Sequence, residues 1–130
     1  MTIPFWCLAF GVLLPYFLAP LSFGERKARF GGPDFRYPRR QAALLEGTGA
    51  RAMAAHANAF EALSVFGVAV VVAHLSGANP TWSALLAVVW AVSRVGHATF
   101  YVADKPPLRT LSFAVGMLSA LGLLGLAAVA

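Results

Sequence analysis

The sequence contains little charge, few acidic residues and almost no cysteine. Only 12% of its 130 residues are charged, whereas 59% are hydrophobic, and Cys7 is the single cysteine. This low charge excludes an ordinary soluble domain and is typical of an integral membrane protein. One cysteine excludes an internal disulfide, and nothing in the spacing of Cys7 and the 3 histidines resembles a metal site, so we predict none.

Basic residues outnumber acidic residues by 10 to 5, and most of them lie in one connecting segment. That segment has no interleaved aromatic residues of the kind that bind single-stranded nucleic acid, so we predict no nucleic-acid partner. A basic loop beside anionic lipid headgroups is the simpler interpretation. Its basic residues are Arg26, Lys27, Arg29, Arg36, Arg39, Arg40 and Arg51.

Four apolar stretches are each long enough to cross a hydrocarbon core of roughly 30 Å as a helix. Because an open sheet cannot satisfy its backbone in lipid and no barrel-like alternation is present, we predict an all-α membrane four-helix bundle. Residues 1–130 form one domain. Pro15 and Pro20 are expected to kink or fray the first helix. The spans cover about residues 3–23, 52–76, 81–103 and 107–129.

The connections carry recognisable caps. Gly77 suits a left-handed helix end, Asn79 an N-cap, and Asp104 a polar cap before two prolines. The long segment 24–50 is expected to be an ordered loop with a short helix near 40–45.

The charge pattern also predicts orientation. The first connection is strongly basic, the second is uncharged and the third carries Lys105 and Arg109. By the positive-inside rule, the first and third connections face the cytoplasm and both termini lie on the opposite side. No basic residue precedes the first apolar stretch, so we expect a retained span rather than a signal peptide.

A carboxylate, Glu61, lies within the second span. Acidic residues at a helix centre cost about 2.5–3.5 kcal/mol on translocon scales, and they usually face a bundle interior and mark a site. At about 100° per residue, Asn58 and Glu61 lie on the same face as Arg51. His56 lies almost opposite Asn58, so we expect it to reach the interface, cap a neighbouring segment or contact another subunit.

The third span has a similar polar stripe, formed by Trp90, Arg94, His97 and Tyr101. Arg94 is the natural counter-charge for Glu61. Such a pair would either contribute to a site or only fix the register of two helices. Buried ion pairs add little evidence for stability, and some serve only to specify how helices pack. For His97 alone, a packing role is the simpler interpretation.

Together, these polar residues would suit a small anionic, amide-rich ligand at one membrane face. Arginines bind carboxylates, while Asn and Glu bind amide and amine groups. A Tyr hydroxyl or a guanidinium would stabilise a thiolate. The converging residues are Arg51, Asn58, Glu61, Arg94, Tyr101 and Arg109.

The spacing of these residues resembles that of a known family. The pattern Arg51-x4-His56-x-Asn58-x2-Glu61, followed by an apolar helix, resembles the second-helix signature of MAPEG, the membrane-associated proteins in eicosanoid and glutathione metabolism. Residues 94–101 and 107–110 look like the family's third helix and following loop. The order of the spans agrees, and the chain is most similar to small bacterial members.

The resemblance implies a homotrimer in the bacterial inner membrane, with glutathione held between subunits at the cytoplasmic side. It implies a transferase or peroxidase acting on lipophilic electrophiles. Arg109 matches, with one gap, the arginine that activates the thiol, and Tyr101 matches a tyrosine that contacts the cofactor, so we predict both as catalytic residues. The positions matching the binding residues are Arg51, Asn58, Glu61 and Arg94.

Two departures favour an alternative. Ala54 stands where the characterised enzymes carry a second arginine, and Ala57 stands where one of them carries a basic residue. These positions favour a non-catalytic protein of the same fold, such as a scaffold, a partner subunit or a binder of another lipophile. A transporter is disfavoured because no inverted repeat or discontinuous helix is visible.

Overall fold

Four long helices dominate the computed structural model, which describes all residues from Met1 to Ala130. Each is long and apolar enough to cross a membrane, and no strand is present. The predicted all-α, four-span architecture is therefore confirmed. The helices are α1 Ile3–Leu18, α2 Phe23–Phe30, α3 Pro38–Ala42, α4 Gly47–Leu75, α5 Pro80–Val102 and α6 Pro106–Ala128.

The first span is longer than predicted. A 3₁₀ turn, Ala19–Ser22, joins α1 to α2, so the helical run continues past residue 23 to Phe30. Pro15 stays inside α1, whereas Pro20 lies in the 3₁₀ turn, where the chain departs from α-helical geometry. The run ends at Gly31, whose φ of 78° is left-handed.

The basic connection is an ordered loop, as predicted, and Gln41 organises it. Its side-chain oxygen accepts hydrogen bonds from Arg26 and from the Asp34 N–H, and its amide group donates to the Gly32 carbonyl at 2.8 Å. Gln41 and Arg26 are both buried. The short helix α3, Pro38–Ala42, lies slightly earlier than the predicted 40–45.

The second span begins at Gly47, before the predicted residue 52, because a different helix caps its start. The Glu25 carboxylate of α2 accepts hydrogen bonds from the N–H of Glu46 at 2.6 Å and of Gly49 at 2.8 Å. These amides are among the donors that a helix N-terminus leaves unpaired. A hydrophobicity pattern cannot locate this start, since the cap is distant in sequence.

Replacing Glu25 by alanine is expected to fray the first turn of α4. Its carboxylate is the hydrogen-bond partner of the Glu46 and Gly49 amides, so their hydrogen exchange in nanodiscs should accelerate. A Glu46→Ala variant is the matched control, because it removes an exposed carboxylate and leaves both backbone amides capped. Unchanged exchange at Gly49 in the Glu25 variant would contradict the capping role.

Helix α4 is the centre of the bundle and packs against α1, α5 and α6. The core contains many small residues, which let helix backbones approach closely in lipid. Its one large pair is Trp90 and Phe66, whose rings stack at 3.7 Å between centroids and are 2% and 0% exposed. Large apolar side chains such as Val68, Val92 and Leu118 point outward, as a lipid-facing surface requires.

The two ends of the bundle differ. Both termini and the connection between α4 and α5 form the terminal end, and the other connections form the loop end. At the terminal end, Asn79 caps α5 as predicted, accepting from the Thr81 and Trp82 amides. At the loop end, the expected Asp104 cap is wrong: Asp104 has a φ of 56°, and the N-cap position of α6 is Lys105.

Candidate functional site

Arg51, near the start of α4, bridges to the end of α5 at the loop end. Its Nε donates to the Val102 carbonyl at 3.1 Å, and one terminal nitrogen donates to Thr48 Oγ1 at 3.1 Å. The other terminal nitrogen lies 3.8 Å from an Asp104 carboxylate oxygen. Asp104 is thus a neighbour of the site that the sequence interpretation treated only as a cap.

Tyr101 and Arg109 form a second pair at the same end. The guanidinium carbon of Arg109 lies 4.6 Å from the centroid of the Tyr101 ring, within cation–π range. Both side chains are half-buried. The tight connection between α5 and α6 brings them together, and their predicted convergence is observed.

His97 contacts both residues of this pair. It is buried, its ring lies edge-on to Tyr101 at 5.5 Å, and its Nδ1 donates to the Arg109 carbonyl at 3.1 Å. These contacts agree with the expected packing role. The other ring nitrogen, Nε2, is buried without a hydrogen-bond partner.

Arg94 lies deeper, inside the bundle, and is only 3% exposed. It donates to Asn58 Oδ1 at 3.3 Å and to the Ser112 carbonyl at 3.1 Å, while its Nε has no partner. Gly116 makes room for it: a Cβ there would lie 2.6 Å from Nη2 of Arg94. Gly116, expected only to be packing surface, therefore determines whether the guanidinium fits.

The predicted ion pair between Glu61 and Arg94 does not form within one chain. Glu61 is exposed and makes no ion pair or side-chain hydrogen bond. The helical periodicity explains this, because Glu61 lies about 60° around α4 from Asn58. Asn58 therefore faces Arg94, and the carboxylate of Glu61 points away from the bundle.

His56 takes one of its three expected roles, that of a cap on a neighbouring segment. Its Nδ1 lies 2.8 Å from the carbonyl oxygen of Pro15, near the end of α1. Its ring also packs edge-on against Phe60 at 5.1 Å. His56 thus ties α4 to α1 on the side away from Asn58.

The six predicted residues divide into three groups. Arg51, Tyr101 and Arg109 gather at the loop end, Asn58 and Arg94 form a buried pair, and Glu61 lies on the outer surface of α4. Guanidinium groups such as those of Arg51 and Arg109 at the loop end can bind an anion and stabilise negative charge.

A family model matches nearly the whole chain. The model of the MAPEG family matches residues 3–129. This chain belongs to the MAPEG family. The family comprises membrane four-helix bundles and includes glutathione-dependent transferases and peroxidases as well as non-catalytic members. The chain is thus an integral membrane MAPEG protein. No curated protein gives a significant match to it.

Proposed function

We propose that this MAPEG protein is a glutathione-dependent enzyme, a transferase or peroxidase that acts on lipophilic electrophiles. The pairing of Arg109 with Tyr101 is the observation that carries the proposal. This contact places the Arg109 guanidinium over the ring that carries the Tyr101 hydroxyl. Together they offer a cation and an O–H donor to a thiolate.

The residues present offer the groups that glutathione would need as a cosubstrate, and two features reduce the positive charge available to it. Arg51 would bind a carboxylate of glutathione in place of Asp104, the amide nitrogen of Asn58 would donate, and Glu61, on the outer surface of α4, would accept from an amine across a subunit interface. Arg94 is buried and would act on the ligand by fixing the orientation of Asn58. The first feature is Asp104, whose carboxylate near Arg51 partly neutralises the binding charge, and the second is Ala54, which carries no basic side chain.

Glutathione supplies a nucleophilic sulfur in this chemistry. Arg109, with Tyr101, would favour the thiolate over the thiol, and the displaced proton would leave to water. In a transferase reaction, the sulfur bonds to an electrophilic carbon, and the electron pair of the broken bond leaves with the departing group. The apolar outer surfaces of the helices would admit a substrate directly from the bilayer.

The assembly and orientation are also part of the proposal. Glu61 is an exposed carboxylate on a membrane helix, which is costly unless another surface covers it. A homotrimer would cover it with a neighbouring copy and complete a site between subunits. The basic loop end would face the cytoplasm, with the termini opposite, as expected for a bacterial inner membrane protein.

Calorimetry with glutathione in nanodiscs tests the proposal. The wild-type protein is expected to bind glutathione saturably. Arg51→Ala should weaken binding by about 10- to 100-fold, because a hydrogen bond to a charged group contributes about 1.5–3 kcal/mol. Arg39→Ala is the matched control, since it removes an exposed basic residue of the loop end without altering a site residue. Absence of glutathione binding by the wild-type trimer would refute the proposal.

A non-catalytic MAPEG protein is the second candidate. The contact of Arg51 with Asp104 and the absence of a basic side chain at Ala54 favour it, because both reduce the positive charge available to a ligand. In that case the polar residues would stabilise the assembly and bind no thiol.

A further inference from the structure

An open groove lies on the basic loop between the first and second spans. Its volume is about 550 Å³, and its walls are the end of α2, the turn that follows, α3 and one residue beyond α3. Hydrogen bonds within the loop hold these walls together: the buried side chain of Gln41 accepts from the Asp34 N–H and donates to the Gly32 carbonyl. Asp34 Oδ1 accepts from the N–H groups of Arg36 and Tyr37 at 2.8 Å and 2.9 Å. The folded chain therefore builds the groove.

Arg40 gives the groove a positive charge that no acidic side chain neutralises. It is an exposed residue of α3 that lines the groove, and it takes part in none of the ion pairs of the chain. Asp34 is the only acidic residue of the walls, and backbone N–H groups occupy its Oδ1. Lys27, Arg36 and Arg39 also lack an acidic partner, so the surface of the loop is positive. A guanidinium in this position can bind a phosphate.

The lengths of the helices place the groove among lipid headgroups. The helical run Ile3–Phe30 has 28 residues and α4 has 29. At about 1.5 Å per residue, each is about 42–44 Å long. A bilayer is about 30 Å thick in its hydrocarbon core and about 40–45 Å thick with its headgroups. The two helices therefore extend to the outer part of the headgroup layer, and the basic loop joins their ends there.

The groove also has an apolar rim. Phe30 and Leu44 line it and are 39% and 56% exposed. A small soluble anion has no apolar part that would contact these side chains, whereas a phospholipid presents a phosphate and acyl chains together. Anionic lipids also collect at basic segments beside membrane spans. The combination of Arg40 with Phe30 and Leu44 thus fits a lipid.

We propose that this groove binds the headgroup of an anionic phospholipid, with the phosphate on Arg40 and the upper part of the acyl chains on Phe30 and Leu44. The site does not depend on the proposed glutathione chemistry, because none of the candidate site residues lines the groove.

Native mass spectrometry of the detergent-solubilised protein tests this site, with phosphatidylglycerol and phosphatidylcholine of the same acyl chains as probes. We expect phosphatidylglycerol to bind saturably and about 10-fold more tightly than phosphatidylcholine, whose headgroup has no net charge. Arg40→Ala should weaken phosphatidylglycerol binding by about 10-fold, the lower end of the effect of a hydrogen bond to a charged group. Arg39→Ala is the matched control. It removes the same charge from the preceding residue of α3, which does not line the groove, so the affinity should stay within about two-fold.

Two further measurements test the location of the site and the source of the phosphate. Leu44→Glu places a carboxylate in the rim at an exposed position, so it should weaken phosphatidylglycerol binding by about 10-fold through repulsion of the phosphate. Glycerol phosphate, which has the phosphate without acyl chains, should not displace the lipid at millimolar concentration. The proposal is overturned if the two lipids bind equally, if Arg39→Ala and Arg40→Ala have equal effects, if Leu44→Glu leaves binding unchanged, or if glycerol phosphate displaces the lipid.

Discussion

Replacing Trp90 by alanine is expected to lower the free energy of unfolding by about 3 kcal/mol, the lower end of the range for such core truncations. Trp90 stacks on Phe66, and its ring also lies beside Gly11 of α1. In lipid the transfer of apolar surface contributes little, so most of the loss comes from broken dispersion contacts and an unfilled cavity. Unfolding in nanodiscs by steric trapping would measure it.

Trp82→Ala is the matched control for that experiment. Trp82 lies on the same helix but is 57% exposed, so its truncation should change the free energy of unfolding by less than about 0.5 kcal/mol. Equal losses in the two variants would show that the stacked pair is not the centre of the core.

Arg109→Ala is expected to reduce kcat/KM for glutathione conjugation by about 10²–10³-fold, the usual effect of removing one positioned donor to a developing anion. A chlorodinitrobenzene electrophile gives a direct absorbance assay. Tyr101→Phe should have a smaller effect, because the ring that supports the guanidinium remains and only the hydroxyl is lost.

Lys105→Ala controls for the loss of positive charge at the loop end. Lys105 is exposed at the N-cap position of α6, so its removal should leave the rate within about two-fold. A second comparison separates the two candidate functions. If Glu61→Gln disrupts self-assembly while neither it nor Arg109→Ala changes any thiol activity, the polar residues are structural.

The sequence predicted the architecture because membrane helices follow a simple rule. Four stretches of about 20 apolar residues have to be helices in lipid. Gly77 and Asn79 mark the connection between α4 and α5, because their effects on helix ends are local. The predictions fail where contacts between distant residues determine the structure. The carboxylate of Glu25, on α2, caps the start of α4, and Asp104 lies beside Arg51 instead of capping α6.

The sequence predicted the arrangement of the candidate residues only in part. Helical periodicity placed Arg51, Asn58 and Glu61 on a common face, yet a difference of about 60° directs Asn58 inward and Glu61 outward. No periodicity argument reveals that the Ser112 carbonyl would satisfy Arg94, because a backbone oxygen has no signature in the sequence.

The burial of Arg94 has a consequence for biogenesis. Helix α5 carries this guanidinium without an acidic partner, and its hydrogen-bond acceptors come from Asn58 of α4 and the Ser112 carbonyl of α6. Released alone into the bilayer, α5 would bear a cost of about 2.5–3.5 kcal/mol for that charge. The nascent chain should therefore keep α5 beside the translocon until α6 is synthesised, and the three helices should enter the lipid as a unit.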